Sequence, residues 1–100
     1  MDPMQYKLSL YVTGDGANGR RALDNANDIC RGELGGHASL QVIDIAARPE
    51  AAFEQEIIAT PMLIRERPLP VRRLVGDLSD REQVLRILTV PKEAEHEDQA

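Results

Sequence analysis

Cysteine occurs once in the 100 residues, at Cys30. One thiol cannot close an internal disulfide, and without His and Cys neighbours at ligand spacing it cannot build a structural zinc site. A reducing compartment suits such a chain. Long apolar runs are also missing: no segment approaches the roughly 20 residues a bilayer span needs, and the N-terminus lacks the basic and apolar regions of a secretion signal. No membrane association is expected, and the cytoplasm is the expected location. Basic residues are few as well, 12 Lys and Arg against 17 Asp and Glu, for a formal net charge of −5. A nucleic-acid binder draws its affinity largely from neutralised phosphates, so nucleic acid is not an expected partner.

What is present describes one small folded unit. One hundred residues suffice for a single core, and 42% apolar with 29% charged residues is an ordinary globular composition. Residues 1–90 read as that domain. Residues 91–100 read as a solvated acidic tail, where Glu93, Glu95, Glu97 and Asp98 stand against Lys92.

Along the chain, Tyr6, Leu8, Leu10 and Val12 alternate with other residues, a period of two that predicts a strand. Ala22, Leu23, Ala26, Ile29, Cys30 and Leu34 then follow helical spacing up to Gly35-Gly36. Leu40 to Ile45 predicts a second strand, parallel to the first by a right-handed crossover. Pro49 suits the first position of a short helix over Glu50 to Glu56, with Phe53 and Ile57 expected on its buried face. Two short strands follow, one from Ile57 to Ile64 and one from Val71 to Gly76, joined by a turn with Pro68 and Pro70. Ser79 and Glu82 read as a capping box opening a last helix with Val84, Leu85, Ile87 and Leu88. The resulting order, βαβαββα, is a thioredoxin-like α/β arrangement.

Chemistry is hard to place on it. Gly14-Asp15-Gly16-Ala17-Asn18-Gly19 is a literal GxGxxG between strand and helix, with Asp44 near the end of the next strand. The chain is too short for a doubly wound domain, and Asp15 brings negative charge where a pyrophosphate must approach. The stretch therefore reads as a turn, and Asp44 as a strand-end cap. Thiol exchange needs a CxxC at the start of the first helix, whereas Cys30 lies well inside it on the apolar side. Ala59-Thr60-Pro61 is where thioredoxin-like domains place a cis proline, which leaves a glutathione-binding or redox domain as the alternative function. His37 and His96 are far apart and read as surface residues. No carboxylate pair, nucleophile with base, or metal cluster emerges, so neither metal nor cofactor is expected.

The second half of the chain is more specific. Ala59-Thr60-Pro61-Met62-Leu63, Pro68-Leu69-Pro70-Val71-Arg72-Arg73 and Gly76-Asp77-Leu78-Ser79-Asp80-Arg81-Glu82 closely resemble the signature of the KaiB family of bacterial clock proteins. Leu10-Tyr11-Val12, Arg21-Ala22-Leu23 and Val42-Ile43-Asp44 agree with it, so the resemblance spans about residues 5 to 90. It implies a non-enzymatic timing protein that docks onto the N-terminal ATPase ring of a KaiC-like hexamer, with KaiA-like proteins or SasA-type histidine kinases as further partners. It also implies two folds: a thioredoxin-like monomer, and a resting βαββααβ form that assembles as a homotetramer. The partner contacts it implies are Tyr6, Arg21, the run Ala47-Arg48-Pro49, and Arg72 or Arg73. Pro61, Pro68 and Pro70 become candidate fold-switch positions, because X-Pro bonds hold either isomer at modest cost. Ile87 and Thr89 join them, standing where clock members carry Gly and Asp; replacing a helical Gly favours the thioredoxin-like form by roughly 0.5 to 1 kcal/mol. Gln41 stands where the family commonly has Lys, which counts against KaiA-type binding.

Overall fold

The computed structural model describes residues 5–89. Seven elements follow one another: β1 (Tyr6–Val12), α1 (Ala17–Arg31), β2 (Ala38–Asp44), α2 (Pro49–Glu54), β3 (Met62–Arg67), β4 (Arg72–Val75) and α3 (Arg81–Leu88). The order is the expected βαβαββα. The sheet runs β2-β1-β3-β4, with β1 parallel to β2, antiparallel to β3, and β3 antiparallel to β4. The expected acidic tail at 91–100 lies outside the described residues.

Strand β1 is central and buried on both faces. Leu8, Leu10 and Val12 point into the larger core, where Ala22, Ala26, Ile29 and Cys30 of α1 meet Val84 and Leu88 of α3. Tyr11 points the other way, with Ile43, Met62 and Ile64, beneath Ala51 of α2. Helix α1 lies close to the sheet at Gly19, where a Cβ would come within 3.3 Å of the Val12 side chain. A Cβ there fits only if the Val12 side chain gives by a few tenths of an ångström.

Five local expectations need correction. Helix α1 ends at Arg31, before the expected Gly35-Gly36, because Gly32 closes it onto the Asp28 carbonyl. Leu34 stays buried in the turn that follows, and Gly35 and Gly36 take the positive φ angles of 60° and 78°. Strand β2 is displaced toward the N-terminus, covering Ala38–Asp44. Helix α2 is only six residues long and buries Ala51. Phe53, two positions on, lies about 200° around the helix and is 87% exposed, while Ile57 is half-buried as expected.

Strand β3 starts at Met62, not Ile57. The reason is the end of α2: Glu56 adopts φ 53°, its N–H bonds to the Phe53 carbonyl, and the Ile57 N–H bonds to the Ala52 carbonyl. That is the Schellman pattern, closed here by a glutamate where glycine is usual. Ile57 to Pro61 then form the link to the strand, with a cis Thr60–Pro61 bond. Finally, α3 is capped by Asp80, whose carboxylate accepts from the Gln83 N–H at 3.3 Å, and not by Ser79. The Ser79 N–H is bonded to the Asp77 carboxylate at 3.0 Å, so the donor that Glu82 would take in a capping box is already engaged.

Candidate protein-docking surface

The turn between β1 and α1 is closed by its own neighbours. Gly14, at φ 59°, donates its N–H to Asp44 Oδ1 at 2.8 Å, and the Ala46 N–H reaches the same oxygen at 2.9 Å. These backbone donors hold the Asp44 carboxyl below the usual aspartate range. Asp44 thus caps the turn. The Thr13 and Thr60 hydroxyls, 2.7 Å apart, tie the same turn to the segment before Pro61. Cys30 faces the larger core, and burial pushes its thiol pKa up, with Arg31 opposing more weakly. A raised pKa means less thiolate at neutral pH, the reverse of what thiol exchange requires. Among the described residues no group of three or more His, Cys, Asp or Glu is placed to hold a metal.

The expected partner-contact residues fall at two ends of the sheet. Arg21, in the second turn of α1, and Ala47-Arg48-Pro49, just after β2, both follow the carboxyl ends of the parallel strands. Arg21 is paired with Asp77 at 3.3 Å, and Arg48 with Glu50 at 3.7 Å. Arg73 lies on the α2 side, donating to the Glu56 carbonyl at 3.4 Å. Arg72 pairs across with Arg65 and so faces the α3 side, as expected for adjacent strand residues. Tyr6 begins β1, about 20 Å of strand away from Val12. The structure therefore groups Ala47, Arg48, Pro49 and Arg73, sets Arg21 and Arg72 on the other side of the sheet, and separates Tyr6 from the run after β2.

The fold-switch candidates are distributed similarly. Pro61 is buried at the start of β3, and Pro68 and Pro70 lie between β3 and β4; all three are preceded by cis bonds. Ile87 packs half-buried against the larger core, and Thr89 ends α3 with its N–H and hydroxyl both on the Leu85 carbonyl, at 2.9 and 2.6 Å.

Two features escaped the sequence reading. The first is an apolar patch on α2. Phe53 and Ile58 are 87% and 91% exposed and, with Pro49, Ala52, Glu56 and Ile57, line an open concavity of about 860 Å³. The second is Arg65, only 1% exposed. Its guanidinium donates to the Leu88 carbonyl at 2.7 Å, the Ile87 carbonyl at 3.3 Å and the Pro70 carbonyl, thereby closing the C-terminus of α3 against the β3–β4 turn. Burial, then the nearby Arg72 charge, lower its pKa, with Tyr6 opposing. The signal for Arg65 was parity: it alternates with Leu63, which points into the same core. Phe53 was expected beside Ile57, four positions on, but the helix ends at Glu54 and the chain turns at Glu56, so the spacing does not hold the two on one face.

Comparison with known proteins agrees with this geometry. The KaiB domain family model matches residues 9–90. The circadian clock oscillator protein KaiB of Prochlorococcus marinus strain MIT 9303 is 50% identical over 80 residues, covering 80% of this chain and 67% of that one. KaiB of Synechococcus elongatus strain PCC 7942 is also 50% identical over 80 residues, covering 80% and 78% respectively. Among solved structures, the N-terminal domain of Synechococcus elongatus SasA superposes with a TM-score of 0.68 at 24% identity, covering 86% of this chain and 85% of that one. Yeast mitochondrial thioredoxin 3 superposes with a TM-score of 0.65 at 10% identity, covering 83% and 78%. These two likenesses establish the thioredoxin-like fold.

Proposed function

The chain belongs to the KaiB family, and on that premise we propose that it is a non-enzymatic clock or timing regulator that docks, in its thioredoxin-like form, onto the N-terminal ATPase ring of a KaiC-like hexamer. The observation that carries the reading is the exposed Ala47-Arg48-Pro49 run, which continues into the apolar surface of α2. The stretch is open to solvent and adjoins two large apolar side chains, Phe53 and Ile58, that the fold leaves uncovered. Arg73 lies on the same side and belongs to the contact surface. Arg21, Arg72 and Tyr6, displaced from it, act at its periphery or through a second subunit.

The closed β1–α1 turn and the buried thiol favour docking over redox chemistry at the same scaffold. A SasA-type kinase shares the fold and is expected to compete for the same ATPase surface. KaiA-type binding is weaker here for want of a lysine at Gln41. The resting tetramer is the alternative state, reached by rebuilding the chain from Ile57 onward, with Pro61, Pro68, Pro70, Ile87 and Thr89 as the positions that set the balance. Mixing the protein with its cognate KaiC-like hexamer and resolving the mixture by size-exclusion chromatography tests the reading. Co-elution is expected; separate elution at tens of micromolar, with the protein monomeric and folded, overturns it.

A further inference from the structure

We propose that Arg65 is the latch that holds the chain in its thioredoxin-like form, by tying the end of α3 to the β3–β4 turn through contacts specific to this packing. This rests on the reading of a resting tetramer as the alternative state, and names a further residue that sets the balance. Arg65 is 1% exposed, and its guanidinium joins three separate stretches of chain. From β3 it donates to the Pro70 carbonyl in the β3–β4 turn and to the Ile87 and Leu88 carbonyls at 3.3 and 2.7 Å. All four residues lie in the part of the chain rebuilt after Ile57. The acceptors therefore converge only while the last element is a helix packed at this place.

The chemistry of the side chain makes it discriminating. A methionine or leucine packs against either of two apolar surroundings, whereas a guanidinium stays buried only where acceptors meet it. Once α3 is dismantled, Arg65 has to find new acceptors or move to solvent, so its hydrogen bonds weigh on one side of the equilibrium. The latch is also incomplete. Its Nε has no partner, and among the described residues no carboxylate lies within 4.0 Å of the guanidinium. Arg72, its pair on β4, adds a second positive charge on the same face. A buried charge held by carbonyls alone is less well compensated than one paired with a carboxylate, which keeps the packing reversible. The other tether of α3, Arg81 to Glu33 at 2.8 Å, is an exposed ion pair at its first turn and contributes little.

Light scattering over a concentration series, with NMR secondary shifts across residues 57–89, compares the full chain with Arg65→Met, Arg65→Lys and Ala26→Gly. Arg65→Met should lower the midpoint concentration for tetramer formation at least about tenfold, or bring a midpoint into range where the wild type shows none. Its last element should change from helix to strand, as the order βαββααβ requires. Arg65→Lys should fall between the two. Ala26→Gly weakens α1, outside the rebuilt segment; its melting temperature should fall while its midpoint stays within about twofold of wild type. An Arg65→Met chain that stays monomeric at every concentration, with its last element helical or unfolded, makes Arg65 an ordinary stabilising contact and overturns the latch. An equal shift in Ala26→Gly overturns it too, since lost stability alone would then suffice. Ile87→Gly with Thr89→Asp tests the underlying reading separately. Tetramer in that variant but not in Arg65→Met sinks the latch alone, whereas monomers in every variant remove the resting state and the latch with it.

Discussion

Replacing Arg65 by Met should loosen α3 more than any other part of the molecule. The guanidinium serves three backbone carbonyls, of Ile87, Leu88 and Pro70, from a position 1% exposed. A helix ends with carbonyls that have no partner inside the helix, and here the partner is a side chain reaching from the sheet. Methionine fills most of the volume but donates nothing. A hydrogen bond to a charged donor is worth about 1.5 to 3 kcal/mol and leaving a buried acceptor unpaired costs about 1 to 3; the Leu88 carbonyl is buried, whereas those of Ile87 and Pro70 are part-buried and can turn partly to water. Two terms offset this. Arg65 Nε has no partner, and a buried charge without a carboxylate carries a desolvation cost that Met lacks. The net expectation is about 2 to 4 kcal/mol of destabilisation, a large share of the roughly 5 to 15 kcal/mol of a whole domain. At about 4 to 8 °C per kcal/mol the melting temperature should fall by at least 8 °C. Arg65→Lys keeps the charge but reaches fewer carbonyls, and should fall between the two. Hydrogen exchange reports the location: amides of Arg81 to Thr89 should open well before those of β1. A melting temperature within 2 °C of wild type, or uniform loss of protection across the domain, would refute the clamp.

The remaining expectations concern the turn, the thiol and the balance of folds. NAD or ATP added to millimolar concentration should produce no saturable amide shifts at Gly14 to Gly19, because the Gly14 donor is already engaged by Asp44; micromolar saturation would restore a nucleotide site. Asp44 has a folded pKa below its ordinary value of about 3.9, so its contribution is complete above that value and disappears as pH falls through the folded one. The stability gap between wild type and Asp44→Ala, from urea melts, should be constant near neutrality and close in that acid range. Cys30 should react with a thiol reagent only on unfolding, and Cys30→Ser should match wild type in showing no insulin reduction; wild-type reductase activity lost in the variant would revive the redox alternative. Ile87→Gly with Thr89→Asp removes a half-buried side chain, adds about 1 kcal/mol of helix penalty and puts an anion at the negative end of α3. Light scattering and NMR secondary shifts over residues 57 to 89 should report more tetramer; an unchanged monomer with α3 shifts intact would show that this helix does not set the balance.

The parts of the fold legible in the sequence were those with an uninterrupted period. Tyr6 to Val12 kept strict alternation, and its strand ended where expected. The crossover to β2 followed from the helix between them. Boundaries failed where two signals lay side by side: Ser79 and Asp80 are both good caps, and in the fold the Ser79 N–H turns to Asp77 while Asp80 takes the Gln83 N–H. The start of β3 was invisible for a different reason. Ile57-Ile58-Ala59 has strand composition, but the end of α2 turns on a left-handed Glu56, and no residue there announces positive φ as a glycine would. That one conformation moved the strand and turned Ile58 outward.

The same local choices explain how a thioredoxin-like frame can carry a docking function. Redox chemistry on this frame needs an exposed thiolate at the start of the first helix, facing the segment before the cis proline. Here the first turn of α1 carries Ala17, Asn18 and Gly19, and the gap is bridged by the Thr13 and Thr60 hydroxyls. The sulfur has moved to Cys30, three turns into the helix, where burial raises its pKa. With the turn tied to Asp44, the carboxyl end of the parallel strands offers little for a small molecule to hold. Large exposed side chains are found instead on and just after α2, at Phe53 and Ile58. On a helix two positions lie about 200° apart, so with Ala51 turned to the sheet Phe53 faces solvent. The proposed docking role draws on that exposure: a large aromatic side chain left in solvent gains by being covered.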